Sequence, residues 1–498
     1  MIVGIALVPA SVAVNIPHIS LEVIVRSVFC GILLAVIMVA RSIAGVGYDR
    51  FFTDNTMRVD YFHTGTKGED RVAIDQVYQE GRWPGTRSNL IDELNLGEYG
   101  VRVYDRATNT LIFSQGFSSI FNEWQTTDEA LAGTYRTFSE TVRFPFPKKP
   151  VQMTLVRRDK LMVYHEVFTT VVNPNNPIEV NKERRSSSFK VTPIVENGSP
   201  STEVDIVILG DGYAKGDMEK LRSDARHFND VMFSTEPFKS RKKEFNVWLV
   251  EVESRESGID VPDKDIWKGN ALGFQYNTFV TPRYVLTTDN KAVRDAAGAA
   301  PYDAICVLIN DTRYGGGGIY NLYATTYTKE EAQDQKWQMD YVYVHEFGHS
   351  FAGLADEYYA AQTGYNDFYS PGIEPWEPNV TALLDKKNVK WNEYLTKGIE
   401  LPTPWEKAQY DSISAIQSKL DRLAPDYYEK REPLFKALIQ LRKNSKYAGK
   451  VGAFEGAGYA SKGLYRPSVD CRMFSLSLEG FDPVCTAAIN RVIDYYVK

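Results

Sequence analysis

The chain has 498 residues, a length that calls for two folded units and a leader rather than one ordinary core. Its formal net charge of −7 excludes nucleic acid as a partner, because a phosphate-binding surface needs an excess of Lys and Arg. The 30 Tyr and 25 Phe suit strand-rich cores or peptide- and carbohydrate-binding surfaces, ordinary β cores being the simpler account.

Residues 1–47 read as a leader. From Val25 the chain runs VRSVFCGILLAVIMVARSIAG, with an apolar stretch from Val28 to Ala40 and then Ser42-Ile43-Ala44, the layout of a secretory signal cut after about Ala44. Residues 1–24 carry one charge, Glu22, an odd extension before such a signal that suggests a start codon assigned too far upstream. An uncleaved anchor is the alternative, since a spanning helix needs at least ~17 residues. Cys30 follows Ser27-Val28-Phe29 and lacks the small residue expected before a lipid-modified cysteine. The expected location is secreted, periplasmic or at the surface of a bacterium, with no membrane insertion after cleavage.

Residues 48–190 alternate short β-type runs with turns, among them 99–105, 110–115, 151–159 and 161–172, and predict an antiparallel β-sandwich. No catalytic cluster appears there. The stretch NPNNPIEVNKERRSSS at 173–188 reads as a junction between domains. Over 191–498 strands alternate with helices, which predicts an α+β or α/β unit with a mixed sheet covered by helices. Buried strands are expected at 204–210, 245–253 and 302–311, and an amphipathic helix at 214–233. GGGG at 315–318 reads as a turn before a strand, IYNLYATTY; no Lys-Ser or Lys-Thr follows, which argues against a phosphate loop. Asp211 lacks the downstream Glu of a calcium loop and reads as a turn and helix cap. Charged helices are expected over 405–443, and a final helix opens at Asp482-Pro483.

The helix expected from about Asp340 carries His345-Glu346-Phe347-Gly348-His349. Positions four apart share a helix face, so both imidazoles can converge on one zinc ion, with Glu346 turned toward its open side. Such an ion lowers the pKa of water toward ~7 for attack on a carbonyl, and Glu346 is the candidate general base.

Zinc needs a third protein ligand. No histidine follows His349, so a carboxylate is expected. Asp356 is the first choice, on condition that the helix stops at Gly353; on a straight helix it would sit roughly 10 Å up the axis. Glu357, Glu374 and Glu377 compete. Among the four cysteines, Cys471 and Cys485 form the only plausible bridge, which an oxidising compartment would permit; without a CxxC pair, a thiolate zinc site is not expected.

HEFGHSFAGLADEY, with ILGDGYA at 208–214, SGID at 257–260 and YRPSVDCRMF at 465–474, is similar to the secreted IgA-peptidase-like zinc metallopeptidases, over most of 191–498. The helix also resembles the metzincin pattern, with one extra residue before the glycine. The resemblance implies a metzincin-like catalytic domain, Zn2+ as cofactor, Met473 in a turn beneath the metal, and Tyr459 or Tyr465 as donors to the developing oxyanion. It further implies an endopeptidase acting on extracellular protein or peptide, of immunoglobulin or mucin type. A cell-wall amidase or exopeptidase, and an inactive surface adhesin or glycan-binding protein, are the competing functions; an intact Glu346 weighs against the last.

Overall fold

Alternating apolar side chains draw the first part of the chain into strands. In this computed structural model, which describes residues 46–183, 188–328, 336–359, 368–420, 426–476 and 480–497, they are β1 (Phe52–Thr66), β2 (Glu69–Arg82), β3 (Tyr99–Asp105), β4 (Thr110–Phe117), β5 (Arg136–Pro147), β6 (Val151–Arg158), β7 (Tyr164–Val172) and β8 (Val180–Asn181). The leader expectations, Cys30 included, lie outside the described residues. One four-stranded sheet has the order β5-β1-β2-β8 and the other β4-β3-β6-β7. All pairings are antiparallel except β2 with β8. In β3, Tyr99, Val101 and Val103 are buried while Arg102 and Tyr104 are half-buried, the period of two that a sheet requires. Rings join the sheets: Phe113 of β4 lies 6.3 Å from Phe144 of β5, and Tyr99 of β3 lies 5.4 Å edge-on to His63 of β1. Buried His63 sits between two carboxylates, with Nδ1 2.8 Å from Glu140 and Nε2 against Asp70.

The second part contains β9 (Lys190–Val195), β10 (Val204–Asp211), β11 (Phe245–Glu251), β12 (Ala304–Ile309), β13 (Gly316–Ile319) and β14 (Tyr323–Tyr327) in a six-stranded sheet ordered β13-β14-β12-β10-β11-β9. Its centre is parallel and both edge strands run antiparallel. β10 is buried at every residue, as a parallel strand covered on both faces must be. Its alternate side chains enter two cores. Val204, Ile206 and Ile208 meet helices α1 (Met218–Met232), α3 (Lys336–Ala352) and α6 (Pro483–Val497), whereas Val207 and Leu209 meet α2 (Asn290–Ala297) on the opposite face. α1 buries Leu221, Ala225, Phe228 and Met232, one stripe of an amphipathic helix. Two further helices, α4 (Lys407–Gln417) and α5 (Tyr427–Lys443), precede the hairpin β15 (Phe454–Ala457) and β16 (Ala460–Arg466).

Three departures from the sequence expectations matter for the site. The glycines of 315–318 are not merely a turn: Gly316–Gly318 belong to strand β13, and the reversal falls later, where Asn321 has a φ of 57° and Leu322 N–H bonds Ile319 C=O at 3.0 Å. Asp211 caps no helix; its carboxylate accepts from the backbone N–H groups of Gly212, Ala271, Leu272 and Phe274 at 2.9–3.0 Å and so organises a buried loop. The packing also does not divide at 173–188, because Ile120, Phe121, Trp124 and Phe138 share a core with Val207, Leu209 and Ile305, and Tyr48–Lys498 cluster as a single unit. Among the described residues no helix is long and apolar enough to cross a membrane.

Candidate metal centre

Helix α3 carries His345 and His349 one turn apart and stops where Gly353 takes a φ of +60°, its N–H bonded to His349 C=O at 3.0 Å. A side chain there would be strained by the backbone and would also press on Trp376, whose ring lies 2.8 Å from an ideal Cβ. The chain reverses, and Asp356 returns beneath the helix. Its Oδ1 lies 3.0 Å from His345 Nε2 and 3.3 Å from His349 Nε2, and the two nitrogens are 3.1 Å apart. Donors at about 2.0–2.1 Å from a tetrahedral ion stand roughly 3.3 Å from one another, so the trio matches such a site.

The other atoms of the trio are already engaged. His349 Nδ1 donates to Leu354 C=O at 2.5 Å, and His345 Nδ1 lies 3.1 Å from Arg472 C=O, which leaves each Nε2 as the lone-pair nitrogen. Asp356 Oδ2 accepts from Tyr459 OH at 2.5 Å, while the buried Oδ1 has no hydrogen-bond donor. Burial works to raise the Asp356 pKa, but the adjacent His349 and His345 overcome it and hold the carboxyl well below its usual range. Burial alone would lower His349, yet the charge of Asp356 pushes it up to about 9, so that a proton on Nε2 holds the place a cation would take. The residues therefore fit a divalent cation, with an ionised carboxylate and two correctly oriented imidazoles.

Backbone contacts fix the returning segment. Ala355 N–H donates to Asn379 Oδ1 at 2.8 Å, Gly458 N–H to Asp356 C=O at 2.9 Å, and Glu357 N–H to Met473 C=O at 2.9 Å. Met473 is fully buried, and an ideal Cβ on Gly348 would lie 3.1 Å from its sulfur, so Met473 underlies the turn of α3 that bears the two histidines. Glu357 points away from the trio, toward Asn379 and Cys485. Glu374 accepts from Ala382 N–H and pairs with Lys390, and Glu377 accepts from Tyr369 OH; neither joins the three donors.

Glu346 lines the cleft beside the trio, and burial pushes its carboxyl pKa up. The cleft walls come from four regions: Glu98, Ser118 and Glu123 of the first part, Arg283 and Tyr284 from a loop, Gly316–Tyr320 around β13, and Tyr369, Trp376 and Tyr459.

An IgA Peptidase M64 model matches residues 192–493, and a Peptidase M64 N-terminus model matches residues 47–169. The chain belongs to the M64 peptidase family. No curated protein matches it. Peptide-bond hydrolysis is thus the reaction class in which the cleft of this M64 peptidase is to be read.

Of the two tyrosines considered from sequence, only Tyr459 reaches that cleft. Tyr465 pairs through its backbone with Thr381, and its side chain packs on the Leu383, Val389 and Trp391 cluster. The alternation of β16 explains the difference, because Tyr459 occupies the hairpin turn with a φ of 63° whereas Tyr465 lies on the strand. The M64 site also contains residues that sequence reading missed. Tyr358 OH accepts from Arg283 Nη2 at 3.2 Å, and its ring stacks 6.4 Å from that of His345. Its place two residues after Asp356 was an available signal; nothing local marks Arg283, Glu98 or Glu123. Cys471 and Cys485 are free thiols with sulfurs 3.7 Å apart, not a bridge.

Proposed function

We propose that this M64 peptidase is a zinc-dependent metalloendopeptidase, with His345, His349 and Asp356 as ligands and Glu346 as general base. The observation that carries this reading is the mutual spacing of the three donor atoms, 3.0–3.3 Å, around a buried Asp356 Oδ1 that has no hydrogen-bond donor. A bound zinc ion supplies Lewis-acid polarisation of the scissile carbonyl and of the attacking water. Glu346 accepts the proton of that water as its oxygen bonds to the carbonyl carbon, then delivers it to the leaving amine as the C–N bond breaks. Its raised pKa suits both halves of the transfer. Arg283, which lines the same cleft, is the donor for the developing oxyanion, joined by Tyr459 only where the hydroxyl of Tyr459 turns from Asp356 Oδ2 to the substrate.

The fold reading goes with this: a β-sandwich made by the two four-stranded sheets, followed by a metzincin-like unit with Met473 as its turn. Residues 48–190 and 191–498 would be two sequence segments of one packed body, behind a leader at 1–47 that directs secretion. The substrate is an extracellular protein, for which the family description IgA peptidase suggests an immunoglobulin. A cleft walled by both parts of the chain favours an internal segment of polypeptide over a chain end.

The test is a peptide-library digest of wild type and Glu346→Gln, with and without chelator. The expected result is cleavage within peptides by wild type, its loss on chelation, and a fall of at least about 100-fold in Glu346→Gln with its zinc content unchanged. Full activity in that variant removes the base; products trimmed only from an end convert the reading to an exopeptidase.

A further inference from the structure

A second cluster of metal-binding groups lies behind the catalytic trio. Glu357, Cys471, Asp482 and Cys485 are all buried and bring one donor atom each within 4.8 Å of one another. Cys471 Sγ and Cys485 Sγ are 3.7 Å apart; Cys485 Sγ is 3.2 Å from Glu357 Oε1 and 3.7 Å from Asp482 Oδ2. Two thiolates at about 2.3 Å from a tetrahedral zinc stand roughly 3.8 Å apart, whereas a disulfide needs about 2.05 Å. The observed spacing is that of co-ligands.

Three independent features point to a cation. First, the counter-charge is incomplete: buried Arg466 acts on Glu357 through space but forms no ion pair with it, although Glu357 is completely buried. One guanidinium against two buried acids and two thiols leaves ionised groups under-compensated, at a cost of several kcal/mol each. Second, Glu357 Oε2 is buried with no hydrogen-bond donor, while Oε1 is held by Asn379 Nδ2 at 2.9 Å. Third, two backbone N–H groups, those of Met473 and Asp482, are directed at Cys471 Sγ at 3.5 and 3.3 Å, as around a thiolate; those of Val484 and Cys485 hold Asp482 Oδ1 at 2.7 and 2.9 Å as the cap of α6, which leaves Oδ2 toward the sulfur of Cys485.

We propose that Glu357, Cys471, Asp482 and Cys485 form a structural site for a thiophilic divalent cation such as Zn2+. The lack of a CxxC pair does not weigh against it, because Cys471 and Cys485 meet in space and Glu357 arrives from the segment after α3. The site clamps three pieces of chain: the segment bearing Asp356, the turn bearing Arg472 and Met473, and the start of α6. It thereby fixes the carbonyl that orients His345 and the floor under the trio.

The catalytic trio contains no sulfur, so the two sites can be read separately in the full chain. Purified under reducing conditions and loaded with Zn2+, the protein is expected to hold two zinc ions, falling to one in His345→Ala/His349→Ala and to one in Cys471→Ser/Cys485→Ser. Loaded with Co2+ instead, the histidine variant is expected to keep a near-ultraviolet thiolate-to-cobalt charge-transfer band, and the cysteine variant to lack it. Glu357→Gln, which keeps side-chain volume, is expected to weaken the second ion without displacing the first, and serves if the cysteine variant does not fold. In the unaltered protein both thiols should resist alkylation until a chelator is added. Absence of the cobalt–thiolate band from the histidine variant overturns the proposal, as does a mass lower by two hydrogens that reports a disulfide in the zinc-loaded protein.

Discussion

Asp356 divides its work between two oxygens. Oδ1 faces the imidazoles, and Oδ2 takes the hydroxyl of Tyr459 at 2.5 Å. A hydrogen bond to a charged acceptor contributes about 1.5–3 kcal/mol, and loss of a partner that orients a metal ligand typically weakens the metal by 10–100-fold. Tyr459→Phe is therefore expected to lower zinc affinity within that range, measured by competition with a chelator; unchanged affinity would confine Tyr459 to the substrate side. His63 shows the same logic without a metal. Burial disfavours its charge, but Glu140 and Asp70 prevail and raise its pKa from 6.5 to about 9. A folded-state pKa raised above the unfolded value contributes stability that is complete below about pH 6.5 and lost as pH climbs through 9, on the order of 3 kcal/mol at 1.36 kcal/mol per unit. Denaturant midpoints should fall over that window in wild type, and His63→Gln should lack that part of the slope. At this scale the site was largely legible, because His345, Glu346 and His349 are spaced by one helical turn and Asp356 needs only the stop at Gly353. Tyr459 and Tyr465 were not separable, since strand alternation in a hairpin whose turn position is unknown does not say which side a tyrosine takes.

Among elements, α3 and β13 depend on each other. An ideal Cβ on Gly318 would lie 2.2 Å from Glu346 C=O and 2.9 Å from His349 Cβ, so the edge strand is glycine because the helix bearing the site lies directly on it. Overpacking of this kind costs roughly 1–3 kcal/mol, and here the backbone that must move holds Glu346 and His349. Gly318→Ala should lower Tm and also depress kcat, while Gly68→Ala, at a position with open space and a φ of 76°, should affect stability alone. A run of glycines in a sequence is compatible with a turn, a phosphate loop or a strand pressed against a helix; only the helix partner distinguishes them, and it is not local.

On the scale of the molecule, the first eight strands are part of the catalytic body. Ile120, Phe121, Trp124 and Phe138 complete the core on one face of the six-stranded sheet. Ser118 N–H donates to Tyr320 C=O at 3.0 Å, and Trp376 Nε1 to Glu98 at 2.9 Å, across the cleft wall. Expression of residues 188–498 alone should give an aggregating or inactive product, checked by a cooperative melt and by cleavage of the library substrate; a stable, fully active fragment would make the first part dispensable. The change of pattern near residue 190 was legible, yet shared packing across it was not, because cores are assembled from residues far apart in the chain. Donors and base occupy twelve consecutive positions, 345–356, whereas the walls are drawn from loops scattered between 98 and 459. Substitutions in the walls can thus alter which polypeptides are accepted while the reacting centre stays the same, and the ends of β3 and β4 that adjoin Glu98 and Ser118 are the natural place for that drift to occur.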